Sequence, residues 1–229
     1  MAITTCVFDA YGTLFDVTAA ARRAAGEGAH PALAARWPAL AALWRERQLQ
    51  YAWVRSLAGA HADFWQVTGE ALDHALEAEG LDGDATLRAR LMDLYRTLDA
   101  YPEAPAALAA LRAAGLGTAI LSNGSPAMLE AAVASAGLAS LLDAVLSVED
   151  AGIYKPAPAA YALVGDALGV EPGAVLFVSS NGWDAAGAAG FGFTTAWVNR
   201  AGAPAERLPW RPAHVVADLA ALPALAAGL

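Results

Sequence analysis

Asp9 follows the β-branched, apolar run ITTCVF and opens the turn Asp9-Ala10-Tyr11-Gly12-Thr13, where Gly12 supplies backbone freedom. A carboxylate placed there is aimed at the crevice beyond a strand end and can act as a nucleophile. Taken alone, it is as readily the cap of the following turn. Other polar groups close apolar runs in the same manner: Ser122-Asn123-Gly124 after GTAIL, and Ser179-Ser180-Asn181-Gly182-Trp183-Asp184 after AVLFV. Lys155 stands between Tyr154 and Pro156 at the entry to a helix, a place from which it can lean over a strand end; the plainer reading is a solvated lysine. Arg45 lies in a helical run beside Trp44, Leu49 and Trp53, and by itself would be read as a surface arginine with a buried stem.

These groups need a scaffold that brings strand ends together. After Tyr101-Pro102 the pattern alternates between helix (104–114, 126–136, 157–168, 183–190) and short apolar strand (117–122, 144–147, 174–179, 194–198, 214–216), with a closing helix. Such strands, separated by helices of about a dozen residues, indicate right-handed βαβ units and a parallel sheet covered on both faces. The strand over residues 3–8 is expected to join that sheet. Between residues 16 and 98 the sequence reads as long helices, over 31–57, 63–79 and 84–98, with no strand. The expected organisation is an α/β core of residues 1–15 and 99–229, with a helical cap of residues 16–98 inserted after the first strand. Ligands of open α/β sheets bind beyond the carboxyl ends of the strands, so the three polar strand ends should form one site beneath the cap.

Composition excludes several classes. Of the 229 residues 57% are apolar, but much of that is Ala, and no stretch of about twenty residues is free of Arg, Asp, Glu and Pro. The start MAITTCVFD has no basic segment ahead of an apolar one, so a soluble, cytoplasmic protein without membrane association is expected. A net charge of −9 argues against nucleic acid, whose phosphates are bound by clustered Lys and Arg. Cys6, the single cysteine, permits no internal disulfide and reads as a small core residue. His30, His61, His74 and His214 accompany no Ser or Cys nucleophile in a motif, which weakens a triad hydrolase. No dinucleotide loop, P-loop or HExxH is present.

The set DAYGTLF (9–15), LSNGS (121–125), YKP (154–156) and SSNGWD (179–184), in this order and at strand ends, resembles the haloacid dehalogenase superfamily, whose core is Rossmann-like. WRERQLQYAWVRSL (44–57) further resembles its L-2-haloacid dehalogenase branch, so the likeness spans nearly the whole chain, cap included. The resemblance implies roles residue by residue. Asp9 matches the nucleophile, Thr13 a residue that holds it, and Ser122 a donor to the substrate carboxylate. Arg45, Asn123 and Trp183 match groups that cradle the halide, and Lys155 the lysine beside the nucleophile. Ser179, Asn181 and Asp184 match the group that positions Lys155 and the hydrolytic water. Ala10, Tyr11, Leu49, Phe64 and Tyr161 match the substrate pocket. The position after Arg45, commonly Gln in relatives, is Glu46 here; a carboxylate near the pocket would repel bulky or anionic substrates. Relatives are often dimeric, so a homodimer is compatible with the resemblance.

The residues themselves favour this branch over its phosphatase relatives. Those enzymes carry a second Asp two positions after the nucleophile, which protonates an alkoxide leaving group; here that position is Tyr11. Halide is the conjugate base of a strong acid and departs without a proton. Phosphoryl transfer also calls for Mg²⁺ held by carboxylates. Only Asp9 and Asp184 of the usual acidic set remain, SSN replaces an acidic neighbour, and Lys155 can balance the charge. The expected activity is cofactor-free and metal-independent: hydrolysis of short (S)-2-haloacids to (R)-2-hydroxy acids through an ester of Asp9. The alternatives are a magnesium-dependent phosphatase on the same fold and a non-catalytic protein that has kept the fold.

Overall fold

The computed structural model describes residues 2–229. Its centre is a six-stranded sheet built from β1 (Thr5–Phe8), β2 (Gly117–Ser122), β3 (Ala144–Ser147), β4 (Val175–Ser179), β5 (Thr194–Val198) and β6 (His214–Val216). The spatial order is β3-β2-β1-β4-β5-β6, and every neighbouring pair is parallel. The first strand is therefore central. Phe8 is in register with Ile120 on one side and Val178 on the other, so Asp9, just past the end of β1, comes level with Leu121 and Ser179 in the flanking strands. Strands buried on both faces need no polar alternation, and β1 and β4 are buried at every position. Each large apolar side chain so sealed contributes roughly 1.5–3 kcal/mol. Cys6 belongs to this core, and burial pushes its thiol up to about 12, which suits a packing residue.

Helices α5 (Ala104–Ala113), α6 (Pro126–Ser135), α7 (Pro158–Leu168), α8 (Gly182–Phe191) and α9 (Leu222–Ala227) accompany the sheet. Between β1 and α5 lie α1 (Ala19–Gly26), α2 (Trp37–Ala58), α3 (Phe64–Ala78) and α4 (Ala85–Arg96), with no strand among them. The Asp residues that open two of the expected helices prove to be caps. The Asp63 carboxylate accepts from the amides of Trp65 and Gln66, and that of Asp84 from Thr86 and Leu87, satisfying donors that a helix start leaves free. The expected helix over 31–57 is broken: Pro31–Leu33 form a separate 3₁₀ turn after a non-helical His30, and α2 begins at Trp37 with a proline in its first turn. Pro38 starts a helix well but cannot continue one from upstream.

The helical segment lies over the strand ends. The Tyr154 hydroxyl donates to the carbonyl of Ala62, the amide of Phe64 donates to Glu149, and Arg45 on α2 reaches the turn after β1. Among the described residues, no helix is long and apolar enough to cross a membrane.

Candidate active site

The turn after β1 is closed by local hydrogen bonds. The Ala10 carbonyl accepts from the amides of Thr13, Leu14 and Phe15, and Gly12, at φ +94°, donates to Phe15. That positive φ suits glycine, and an added Cβ would also press on Ser180 Oγ at 3.2 Å. The turn swings Thr13 back so that its hydroxyl donates to Asp9 Oδ2 at 2.9 Å. Asn181 Nδ2, from the loop after β4, donates to the same oxygen at 2.8 Å. Lys155 Nζ stands 3.3 Å from Asp9 Oδ1 and 3.1 Å from Asp184 Oδ2, and so bridges the two carboxylates.

Accessibility separates those two acids. Asp184 and Lys155 are sealed, whereas Asp9 keeps 7% of its surface open. Of the pair, Asp9 is the one that a substrate carbon can reach. Oδ2 is engaged twice and Oδ1 only by the ammonium, leaving Oδ1 the freer nucleophile. Burial raises the pKa of Asp184, against the opposing pull of Lys155.

Lys155 is itself held in place. Its amide donates to Asn123 Oδ1 at 3.0 Å, and its ammonium lies 4.9 Å from the centre of the Phe177 ring. Ser122 is buried, and its hydroxyl accepts from the Gly124 amide at 3.1 Å. Gly124 is required by packing, since a Cβ there would fall 2.6 Å from the Tyr11 ring. Ser179 Oγ accepts from the Asn181 amide at 3.1 Å and so shapes the loop that presents Asn181 to Asp9.

From above, Arg45 donates through Nη2 to the Tyr11 carbonyl at 3.1 Å and to Asn181 Oδ1 at 3.3 Å. Tyr11 is buried against Phe64 and stacks on Tyr95, their ring centres 5.6 Å apart. Its hydroxyl has no partner among the described residues, and burial raises its pKa well above the usual value. Leu49 lies one turn beyond Arg45, half-buried, and Trp183 packs edge-on against Trp53. Beside Lys155 a cavity of about 560 Å³ opens between Trp53, Ser56, Tyr154, Trp183, Leu208 and Trp210.

A family model for haloacid dehalogenase-like hydrolases matches residues 3–192. The chain belongs to this family. It is 47% identical to (S)-2-haloacid dehalogenase 1 of Pseudomonas sp. (strain CBS-3), covering 97% of this chain and 96% of that one. It is 50% identical to (S)-2-haloacid dehalogenase 4A of Burkholderia cepacia, over 88% and 85%. Among solved structures, the L-2-haloacid dehalogenase of Xanthobacter autotrophicus with chloropropionic acid covalently bound superposes with a TM-score of 0.89. That pair is 44% identical and 99% of each chain is covered.

Within this family member two sequence expectations change. Glu46 faces solvent, its side chain 67% exposed and turned toward Arg47 at 3.9 Å, because the residue after Arg45 is rotated about 100° around the helix. It is not a pocket carboxylate, and the expected restriction of substrates by Glu46 falls away. Tyr161 does not sit at the mouth of the site. It is fully buried behind it, its ring among Phe177, Phe191 and Phe193, and its hydroxyl donates to Asp184 Oδ1 at 2.8 Å. Among the described residues no histidine hydrogen-bonds to Asp9 or Asp184; His30 pairs with Asp84 and His61 with Glu149. Two contributors had escaped notice. Ser180 donates its amide to Thr13 Oγ1 at 2.8 Å, and Gln48 contacts Arg45 at 2.8 Å. Both lie inside motifs already singled out, SSNGWD and WRERQL, which was the available signal.

Proposed function

We propose that the chain is an (S)-2-haloacid dehalogenase that hydrolyses short 2-haloacids to (R)-2-hydroxy acids and halide, with Asp9 as nucleophile. The observation that carries this reading is Asp9, the one member of the charged trio that keeps an opening, fixed by Thr13 and Asn181, with its charge balanced by a sealed lysine. The relatives named (S)-2-haloacid dehalogenase support the substrate class, and the covalently bound chloropropionic acid of one relative supports an ester intermediate. The comparisons give no support to a phosphatase. The place of its second Asp is held by a buried Tyr11, and the Lys155 ammonium lies between Asp9 and Asp184.

The substrate carboxylate is received by Ser122 and by backbone amides of the strand-end turns, including that of Ala10, which act as fixed anion donors. C2 then faces Asp9 Oδ1. The Oδ1–C2 bond forms as the carbon–halogen bond breaks, and the halide leaves with the bonding pair toward Arg45, Asn123 and Trp183, which stabilise it as its charge develops. Leu49, Phe64 and Tyr11 bound the substituent at C2. One displacement inverts that carbon.

Water then attacks Cγ of Asp9. Asp184, with its pKa raised by burial, orients that water and takes its proton better than an exposed carboxylate would. Lys155 offsets the charge that builds beside it. The Cγ–Oδ1 bond breaks, the proton held by Asp184 passes to the departing oxygen so that the 2-hydroxy acid leaves with the former Asp9 oxygen, and both carboxylates are restored as the second proton of the water is lost to solvent. The test is halide release from both enantiomers of 2-chloropropionate, with chiral analysis of the lactate formed. Release from the S substrate with R product is expected; no release, or retention, overturns the reading.

A further inference from the structure

We propose that Gln48 is a positioning residue for Arg45, and that its neutral amide aligns the guanidinium without consuming its charge. This rests on the role given to Arg45 above. Gln48 follows Arg45 by three residues on α2, on the same helix face, and only 1% of it is exposed. Its Oε1 accepts from Arg45 Nη1 at 2.8 Å. Its Nε2 donates to Thr68 Oγ1 at 2.7 Å and lies 3.1 Å from the Tyr95 hydroxyl.

The orientation of that amide is forced. The Thr68 hydroxyl has one proton and donates it to the Phe64 carbonyl at 2.6 Å, so toward Gln48 it can only accept. Nε2 must therefore face Thr68, and Oε1 must face Arg45. The Trp44 indole N–H donates to the Thr68 carbonyl at 2.9 Å and anchors the same turn of α3. Three helices of the segment thus converge on one buried amide whose outward-facing atom grips the arginine.

The other acceptors of Arg45 are the Tyr11 carbonyl and Asn181 Oδ1. All three are neutral oxygens, and among the described residues Arg45 makes no ion pair. A guanidinium held this way keeps its positive charge for an arriving anion, at a fixed angle. A carboxylate at position 48 would hold it as firmly and neutralise it.

The experiment compares Gln48→Met and Gln48→Glu with the wild-type full-length chain, following chloride release from (S)-2-chloropropionate across pH, with circular dichroism to confirm folding. The groups facing position 48 are Arg45 on α2, Tyr95 on α4 and the uncharged Thr68 on α3. Gln48→Met removes the grip, and kcat/KM should fall on the order of 10- to 100-fold, the scale set by misplacing an orienting group. Its activity relative to wild type should not vary with pH. Gln48→Glu is nearly isosteric, and once Thr68 turns its hydroxyl proton from the Phe64 carbonyl to the new carboxylate oxygen it tests the charge even if Gln48→Met fails to fold. Its relative activity should be low at neutral pH and recover as the pH falls and the introduced carboxyl is protonated. Wild-type rates in folded Gln48→Met, or in Gln48→Glu at neutral pH, overturn the inference. No chloride release by the wild-type chain overturns instead the dehalogenase reading on which it rests.

Discussion

Lys155 joins Asp9 to Asp184 inside the protein, and the three charges form one unit. Replacing Lys155 with Met keeps much of the stem volume but leaves two carboxylates facing each other, so turnover should fall by about 10² to 10³. A variant within a few-fold of wild type, measured by chloride release, would show that the ammonium is dispensable. Arg45→Lys should be nearly as damaging as Arg45→Ala, because an ammonium cannot reproduce a planar donor array that touches Gln48, Tyr11 and Asn181 together; steady-state kinetics of the two variants decide it. Asp184 sets the acid limit. It works ionised, and burial raises its pKa, so kcat should decline on acidification from above the ordinary carboxylate value of about 4. A profile flat down to that value would contradict the role. At this scale the sequence revealed the reactive residues, because each closes an apolar strand or stands in a dense motif. It did not reveal Gln48 or the true place of Tyr161. One side chain's partners on other helices depend on packing that spacing does not encode.

The elements bring strand ends and helix starts into one plane. Gly187 on α8 shows how closely: a Cβ there would lie 2.7 Å from the Tyr161 hydroxyl and 2.7 Å from Pro156 Cβ. Gly187→Ala should therefore cost about 1–3 kcal/mol by overpacking and lower turnover by displacing the hydroxyl that holds Asp184. Thermal melts and kcat read the two effects separately, and no change in either would refute the packing argument. The strands were legible because buried parallel strands are short unbroken apolar runs, and β2, β3, β5 and β6 match the expected bounds. Helix α1 is hard to read from sequence, since AAARRAAG offers only Ala and Gly around two Arg, with no large apolar side chain to mark its buried face. The break at residues 34–36 was missed because Ala34 and Ala35 suit a helix as well as a turn.

One apolar core runs through the whole molecule, from Val7 and Phe177 in the sheet to Leu40, Leu72 and Leu91 in the helical segment. We therefore expect that segment to unfold with the sheet. Tryptophan fluorescence, weighted toward Trp37, Trp44, Trp53 and Trp65, and far-ultraviolet circular dichroism should give coincident denaturant transitions; an earlier fluorescence transition would mean that the helices melt alone. The fold thereby keeps the arginine of one part and the aspartate of the other in fixed relation, which a displacement at C2 requires. The central claim, that Asp9 bonds to the substrate and does not merely activate water, is tested most directly by one turnover in H₂¹⁸O with enzyme in excess. Attack by Asp9 gives an unlabelled hydroxyl in the product and places ¹⁸O in the peptide that contains Asp9. Label in the first-turnover hydroxy acid, with none in that peptide, would contradict the account.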